Sequence, residues 1–280
     1  MIKVITDSTS DIPPELAAEL DIGVVPIYVV WEGQSYRDGI DLKPDEFYRR
    51  LGSSPTLPTT SQPTQADFEQ AYIGQAGKYE GIVSVHISSK LSGTYSSALM
   101  AARAVRDRIA VEVIDSHFNS IGLGLVALAA ARAARAGAGL EVVVREAKKA
   151  ASQVKMLGIF DTLKYTIAGG RISKPLGRIA SVLNIKPLMT FRNGEVALAG
   201  AVRIYSKGID KIVEFIRKNV PVQDLGIVHS AALAEAEKLQ QRLAGILPAD
   251  KIIINQLGAS LGVHGGPGII LVALRTVETS

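Results

Sequence analysis

Apolar and amphipathic runs alternate through the first half of the chain. Strand-like blocks read IKVITDS (2–8), VVPIYVVW (24–31), GIVSVHI (81–87) and VEVIDS (111–116). Helix-like blocks read PPELAAEL (13–20), PDEFYRRL (44–51), PTQADFEQAYIGQAG (63–77) and SGTYSSALMAARAVRDR (92–108), and helical patterning continues to about residue 153. Continuous Val/Ile runs separated by helices are how strands of a parallel sheet, buried on both faces, read in sequence. The pattern therefore predicts an N-terminal α/β/α layered domain with a mostly parallel sheet. Ligands of such sheets sit at the carboxyl ends of the strands. That rule lines up TDSTSD (6–11), SSKLSGT (88–94) and DSHFNS (115–120) along one rim.

From KMLGIFD (155–161) onward the pattern changes. It predicts a helix over PLGRIASVLN (175–184), a hairpin over 185–202 turning at Asn193-Gly194, and a helix from about Ser206. A strand LGIVHSA (225–231), another helix, and strands KIIINQL (251–257) and PGIILVAL (267–274) follow. Hairpins mixed with helices predict a C-terminal α+β domain with a mixed or antiparallel sheet. The expected division is 1–154 for the N-terminal domain, with the hydroxyl loops, and 155–280 for the C-terminal domain, with the His264 loop and a basic surface.

Composition agrees with two globular domains: 280 residues, 47% hydrophobic and 21% charged. The longest uncharged apolar run, residues 121–131, is well short of the roughly 20 residues that cross a bilayer. The chain has no cysteine and enters a strand pattern at its first residues, so a cytoplasmic location, with at most transient membrane contact, is expected. Residues 1–150 carry a formal charge of −3 and the remainder +7. Within 162–208, Lys164, Arg171, Lys174, Arg178, Lys186, Arg192, Arg203 and Lys207 face only Glu195. Such a stretch suits a phosphate or an acidic partner. With aromatics at 5% and no nucleic-acid motif, a nucleic-acid-binding regulator ranks below a phosphate or acidic partner.

Several loops carry candidate chemistry. The stretch TLPTTSQPT (56–64) frames Thr60 and Ser61 between prolines, which stiffen a loop and fix its donors. Ser92, Gly93 and Thr94 stand where a helix begins, a position with unpaired N–H groups that doubles as an anion site. Gly169-Gly170 ends a helical segment and presents Arg171. GASLGVHGGPG (258–268) contains a formal G-x-S-x-G centred on Ser260. A nucleophile elbow needs a helix directly after the serine and an acid before a downstream histidine. The glycine-rich text predicts a loop there instead, a nest in which Gly265 and His264 donate to an anion. A serine-dependent hydrolase or acyltransferase using Ser92 or Ser260 remains the alternative. His86 lies in an apolar strand and reads as a core residue, while His117 and His229 end strands and carry no assignment. No metal-ligand spacing and no nucleotide-binding glycine motif is present, so neither a metal nor a nucleotide cofactor is expected. The small-residue segment 121–138 reads equally as a helix passing close to a bound chain or as tight packing.

Taken together, TDSTSDIP, TTSQPT, ISSKLSGTYSSA, IDSHFNSIGLG, AGGRIS and HGGPG make the chain similar to the DegV family, the fatty-acid-binding subunits of bacterial fatty acid kinase. The resemblance spans nearly the whole chain. It implies a monomeric, non-enzymatic lipid-binding subunit of phospholipid metabolism that buries one long-chain acid, in the C14–C18 range, in an acyl-chain pocket of the N-terminal domain, 1–154. The carboxylate contacts implied are Thr60, Ser92 and His264, with Ser61, Gly93, Thr94 and Gly265 beside them. Arg171 is the implied partner-facing arginine. Arg203 and Lys207, in the basic stretch, would help dock that partner or balance a phosphate. The partner would be a separate ATP-dependent kinase subunit that converts the carboxylate to an acyl phosphate, for delivery to a membrane acyltransferase.

Overall fold

The computed structural model of the chain describes residues 1–171 and 185–277. The helix expected over 175–184, with Lys174 and Arg178, lies outside the described residues.

Four strands, β1 (Ile2–Asp7), β2 (Ile22–Val25), β6 (Gly81–His86) and β7 (Ala110–Asp115), form a parallel sheet in the order β2-β1-β6-β7. Its side chains alternate between two cores. Ile5, Val25 and Ile82 pack with Phe68 and Tyr72 of α3 (Gln65–Ile73) and with Ala98 and Ala101 of α4 (Thr94–Ala104). Val4, Val83 and Val85 face the opposite way, onto α1 (Pro14–Glu19), α5 (Ser120–Arg135) and α6 (Leu140–Gln153).

The second half builds a six-stranded mixed sheet in the order β10-β9-β8-β13-β11-β12. Its strands are β8 (Val154–Ile159), β9 (Lys186–Arg192), β10 (Glu195–Val202), β11 (Val222–Ser230), β12 (Ile252–Gln256) and β13 (Ile269–Thr276). Met156, Val228, Leu271 and Ala273 join the core around α5. Leu157, Ile159, Ile227 and Val272 face the other way, onto α8 (Tyr205–Arg217) and α9 (Leu233–Arg242). Helix, sheet, helix, sheet, helix is thus the layer order, and the expected fold class is the one observed. The hairpin turns at Asn193-Gly194, both at positive φ (51° and 81°), the geometry an Asn-Gly turn favours.

Lying between two sheets, α5 is buried almost all round, which demands an apolar helix without a polar face. Its glycines serve close approach: a Cβ on Gly122 would stand 2.1 Å from Met156 Sδ, and one on Gly124 2.6 Å from Ser10 O. Tight packing therefore accounts for the small-residue segment 121–138, none of whose residues borders the cavity described below.

A third, three-stranded antiparallel sheet, β4-β3-β5, departs from the sequence reading. The run 24–31 splits at Pro26, so that β3 (Tyr28–Trp31) leaves the parallel sheet and pairs with β4 (Gln34–Arg37) and β5 (Thr59–Ser61). Thr59–Ser61, read as a stiff loop, is a strand. Likewise the expected loop around Ser260 is a helix, α10 (Ala259–Gly265). It packs Ala259 and Val263 against Val29 and Trp31 of β3 and against Phe47, Tyr48 and Leu51 of α2 (Pro44–Ser53). A helix of the second half is therefore seated on a small sheet of the first.

Candidate functional site

That seating carries His264 to Thr60. Their side chains, 204 residues apart in sequence, meet with Oγ1 and Nε2 2.9 Å apart. They border a cavity of about 550 Å³, within the usual range of small-molecule sites. Hydroxyls and amides gather on its wall: Thr60, Ser61, Gln62, Ser89, Ser92, Asn119, Thr166. Ile87, Leu91, Phe160, Met189, Phe191, Val196, Leu257, Ile269 and Leu271 supply its apolar lining. These side chains come from both halves, so the expected confinement of the chain-binding space to the first half does not hold for this cavity.

The rim predicted from strand ends is present. Loops after β1, β6 and β7 converge, and Asp7 ties them by accepting from Ile87 N–H (3.0 Å) and lying 2.9 Å from His86 Nδ1. Ser88 N–H donates to Phe118 O at 2.8 Å. The serine of SGTY caps its helix locally: Ser92 Oγ accepts from Thr94 N–H at 3.2 Å and lies 2.8 Å from Thr94 Oγ1. Thr94 itself is fully buried behind Ser92 and does not line the cavity, a correction to its expected place among the contacts. Gly93 does line it, and a Cβ there would fall 2.1 Å from Gln62 Oε1, so any larger residue displaces the Gln62 amide. Gln62 in turn donates to Ser97 Oγ at 3.1 Å. Gly265 lines the cavity from α10.

Burial pushes the His264 imidazole down to about 4, and the Arg171 guanidinium acts in the same direction, so the ring is neutral near neutral pH. Its Nδ1 is buried against Gly169, with no hydrogen-bond partner among the described residues. An unpartnered lone pair is cheaper to bury than an unpartnered N–H, which places the ring proton on Nε2, donating to Thr60. The Thr60 hydroxyl proton is then available to an acceptor in the cavity. Thr166, from α7 (Lys164–Ala168), also holds a buried hydroxyl oxygen with no partner. Arg171 borders the cavity, exposed, and donates to Gly169 O at 2.7 Å. Arg203 and Lys207 are exposed and line no part of the cavity; Lys207 reaches Asp210 at 3.4 Å.

Two buried carboxyls hold the start of α10. Asp11 accepts from Gly258 N–H (2.8 Å) and from Ser120 Oγ (2.5 Å), and Asp38 accepts from Ala259 N–H (2.9 Å), Ser8 Oγ (2.8 Å) and Ser260 Oγ (2.5 Å). Burial pushes Asp11 up to about 8 and raises Asp38, which reduces the negative charge beneath the cavity. Asp11 and Ser120 both sit at positive φ (49° and 47°), a conformation that costs non-glycine residues energy and concentrates at functional sites. Neither carboxyl stood out in the sequence, because both act through residues far along the chain.

The hydrolase alternative loses its geometry here, although its G-x-S-x-G does run into a helix. Ser260 gives its proton to Asp38, and His264, one turn later on the same helix, engages Thr60. Ser84, His86 and Asp7 do make a serine-histidine-carboxylate chain, with Ser84 Oγ 2.7 Å from His86 Nε2 and Tyr72 donating to Ser84 at 2.9 Å. All three are fully buried and off the cavity wall, so the chain braces the sheet. His229 is buried and accepts from Ala232 N–H, and His117 is exposed beside Asp115. Among the described residues no cluster of three or more His, Cys, Asp or Glu could hold a metal, and no helix is long and apolar enough to cross a membrane.

The DegV family model matches residues 1–276. The chain belongs to the DegV family. A DegV domain-containing protein of Deinococcus radiodurans is 36% identical over 282 residues, covering 99% of both chains. Protein DegV of Bacillus subtilis is 32% identical over 274 residues, 96% of this chain and 97% of its own. Among solved structures, a DegV family protein of Thermus thermophilus, described as fatty-acid binding, superposes with a TM-score of 0.90 at 32% identity and 99% coverage of each chain. DegV of B. subtilis, described as a fatty acid binding protein, superposes with a TM-score of 0.89 at 30% identity, again over 99% of each. DegV neighbours of this fold thus bind fatty acids, and residues from both halves of that fold line the cavity here.

Proposed function

We propose that this protein binds one long-chain fatty acid, with its tail in the cavity between the two halves and its carboxylate among Thr60, Ser92 and His264. The carrying observation is the junction of an apolar space with a cluster of uncharged donors, Thr60 and His264 foremost. Each buried methylene contributes roughly 0.8 kcal/mol, so a tail of about a dozen offers on the order of 10 kcal/mol before ordering costs. A buried carboxylate without partners would cancel that gain. Neutral donors meet the need and leave an oxygen lone pair available, where a bidentate arginine would occupy both oxygens.

The acid so held is a nucleophile for phosphoryl transfer. A separate ATP-dependent kinase would form the acyl phosphate on the protein-bound acid, docking through Arg171 at the cavity mouth and the exposed Arg203 and Lys207. Fatty-acid retention in Ser92→Ala and His264→Ala tests the head-group contacts: both should retain less, and unchanged retention in both overturns the assignment. For the partner, incubation with a fatty acid kinase catalytic subunit and ATP should give acyl phosphate, reduced in Arg171→Ala; equal yields would remove that arginine from the docking surface.

A further inference from the structure

Two cavities meet at one ring. Phe191 lines the 550 Å³ cavity and also a second, more open space of about 350 Å³, which His117, Phe118, Ala151, Asn193 and Gly194 border. Along β9, side chains alternate: Met189 and Phe191 face the main cavity, while Thr190 turns away and donates to Met156 O at 2.7 Å. Met189 packs against Leu163, next to α7 with its Thr166 and Arg171 beyond. Phe191, two residues nearer the hairpin tip, instead packs at a tilt against Phe118, with ring centroids 5.6 Å apart. Phe191 therefore lies on the side of the main cavity away from α7, at its border with the second space. The tip is held in place, because Ser88 Oγ donates to Gly194 O at 2.7 Å, across an approach in which a Cβ on Gly194 would come within 2.6 Å of that oxygen.

We propose that Phe191, braced by Phe118, is the stop that sets the longest tail the main cavity accepts, and that removing the ring joins the second space to it. This rests on the fatty-acid reading above. Each methylene that newly enters apolar space is worth about a fourfold gain in affinity. The test is competition binding of a ladder of saturated acids, each two methylenes longer than the last, to delipidated wild type, Phe191→Ala and Phe191→Leu. Wild-type affinity should climb with length and then level off. In Phe191→Ala the levelling point should move to a longer acid, with Phe191→Leu between, and shorter acids should keep their ranking. A uniform loss across the ladder, or an unmoved levelling point in both variants, would overturn the proposal. If Phe191→Ala fails to fold, the levelling point of Phe191→Leu decides alone. Failure of the wild type to bind any acid would instead refute the fatty-acid reading itself.

Discussion

Gly169→Ala should release the ligand without deleting a polar atom. Gly169 ends α7 at φ −77° and ψ −11°, a conformation alanine adopts freely. Its missing Cβ is what lets the His264 ring lie where it does, since an added Cβ would stand 2.1 Å from Nδ1. Ordinary contact begins near 3.4 Å, so the ring must retreat by about 1.3 Å. Nδ1 and Nε2 point to nearly opposite sides of the ring, so a retreat of that size crowds Nε2 against Thr60, 2.9 Å away, and forces the ring to rotate out of that hydrogen bond, which turns the Thr60 proton away from its acceptor. Hydrogen bonds to a charged group are worth about 1.5–3 kcal/mol, so affinity for the acid should fall roughly 10- to 100-fold. Displacement of a fluorescent fatty acid from delipidated protein measures this, with thermal melting alongside. The melting temperature should fall only by the cost of displacing the ring, about 1–3 kcal/mol, because alanine at this φ and ψ carries no backbone penalty, so the protein stays folded at the assay temperature. Affinity within twofold of wild type would refute the reasoning, and would mean that α7 yields rather than the ring.

Other consequences follow from buried groups. Asp11 has its carboxyl raised from 3.8 to about 8 by burial, so the folded state holds that proton more tightly than the unfolded chain. Its stabilising contribution is complete below 3.8 and is lost as pH rises toward about 8; unfolding free energies across that window should decline less steeply in Asp11→Asn, and equal slopes would count against the raised value. At the joint between the halves, a Cβ on Gly226 of β11 would fall 2.2 Å from Ile121 Cγ1 of α5, so Gly226→Ala should cost about 1–3 kcal/mol by denaturant unfolding. Ile121→Ala, which removes that carbon, should cost less in the Gly226→Ala background than alone, and strict additivity would show that the two do not meet.

How legible this was depended on how local each feature is. Asn193-Gly194 carries its own turn chemistry, and the Val/Ile runs of β1, β6 and β7 carry their burial, so hairpin, parallel sheet and hydroxyl rim could be read directly. Thr59–Ser61 could not, because its pairing with β3 lies some 30 residues away and Pro58 and Pro63 read as loop. Helix α10 was hidden by its glycines, which disfavour a helix in isolation. Tertiary packing overrides that preference: a Cβ on Gly262 would lie 2.5 Å from Phe47 Cε1, so the glycine is what lets the helix settle on α2. Thr60, Ser92 and His264 were found as members of motifs. Asp11, Asp38, Thr166 and Phe191 carry no local signal, since each acquires its role from an element distant in sequence.

Native mass spectrometry of the full chain purified from a heterologous host addresses the central claim most directly. The account predicts one added mass per chain equal to a long-chain fatty acid, lost under denaturing conditions and regained when the delipidated protein is given the acid. An unliganded mass before and after exposure to the acid would contradict it.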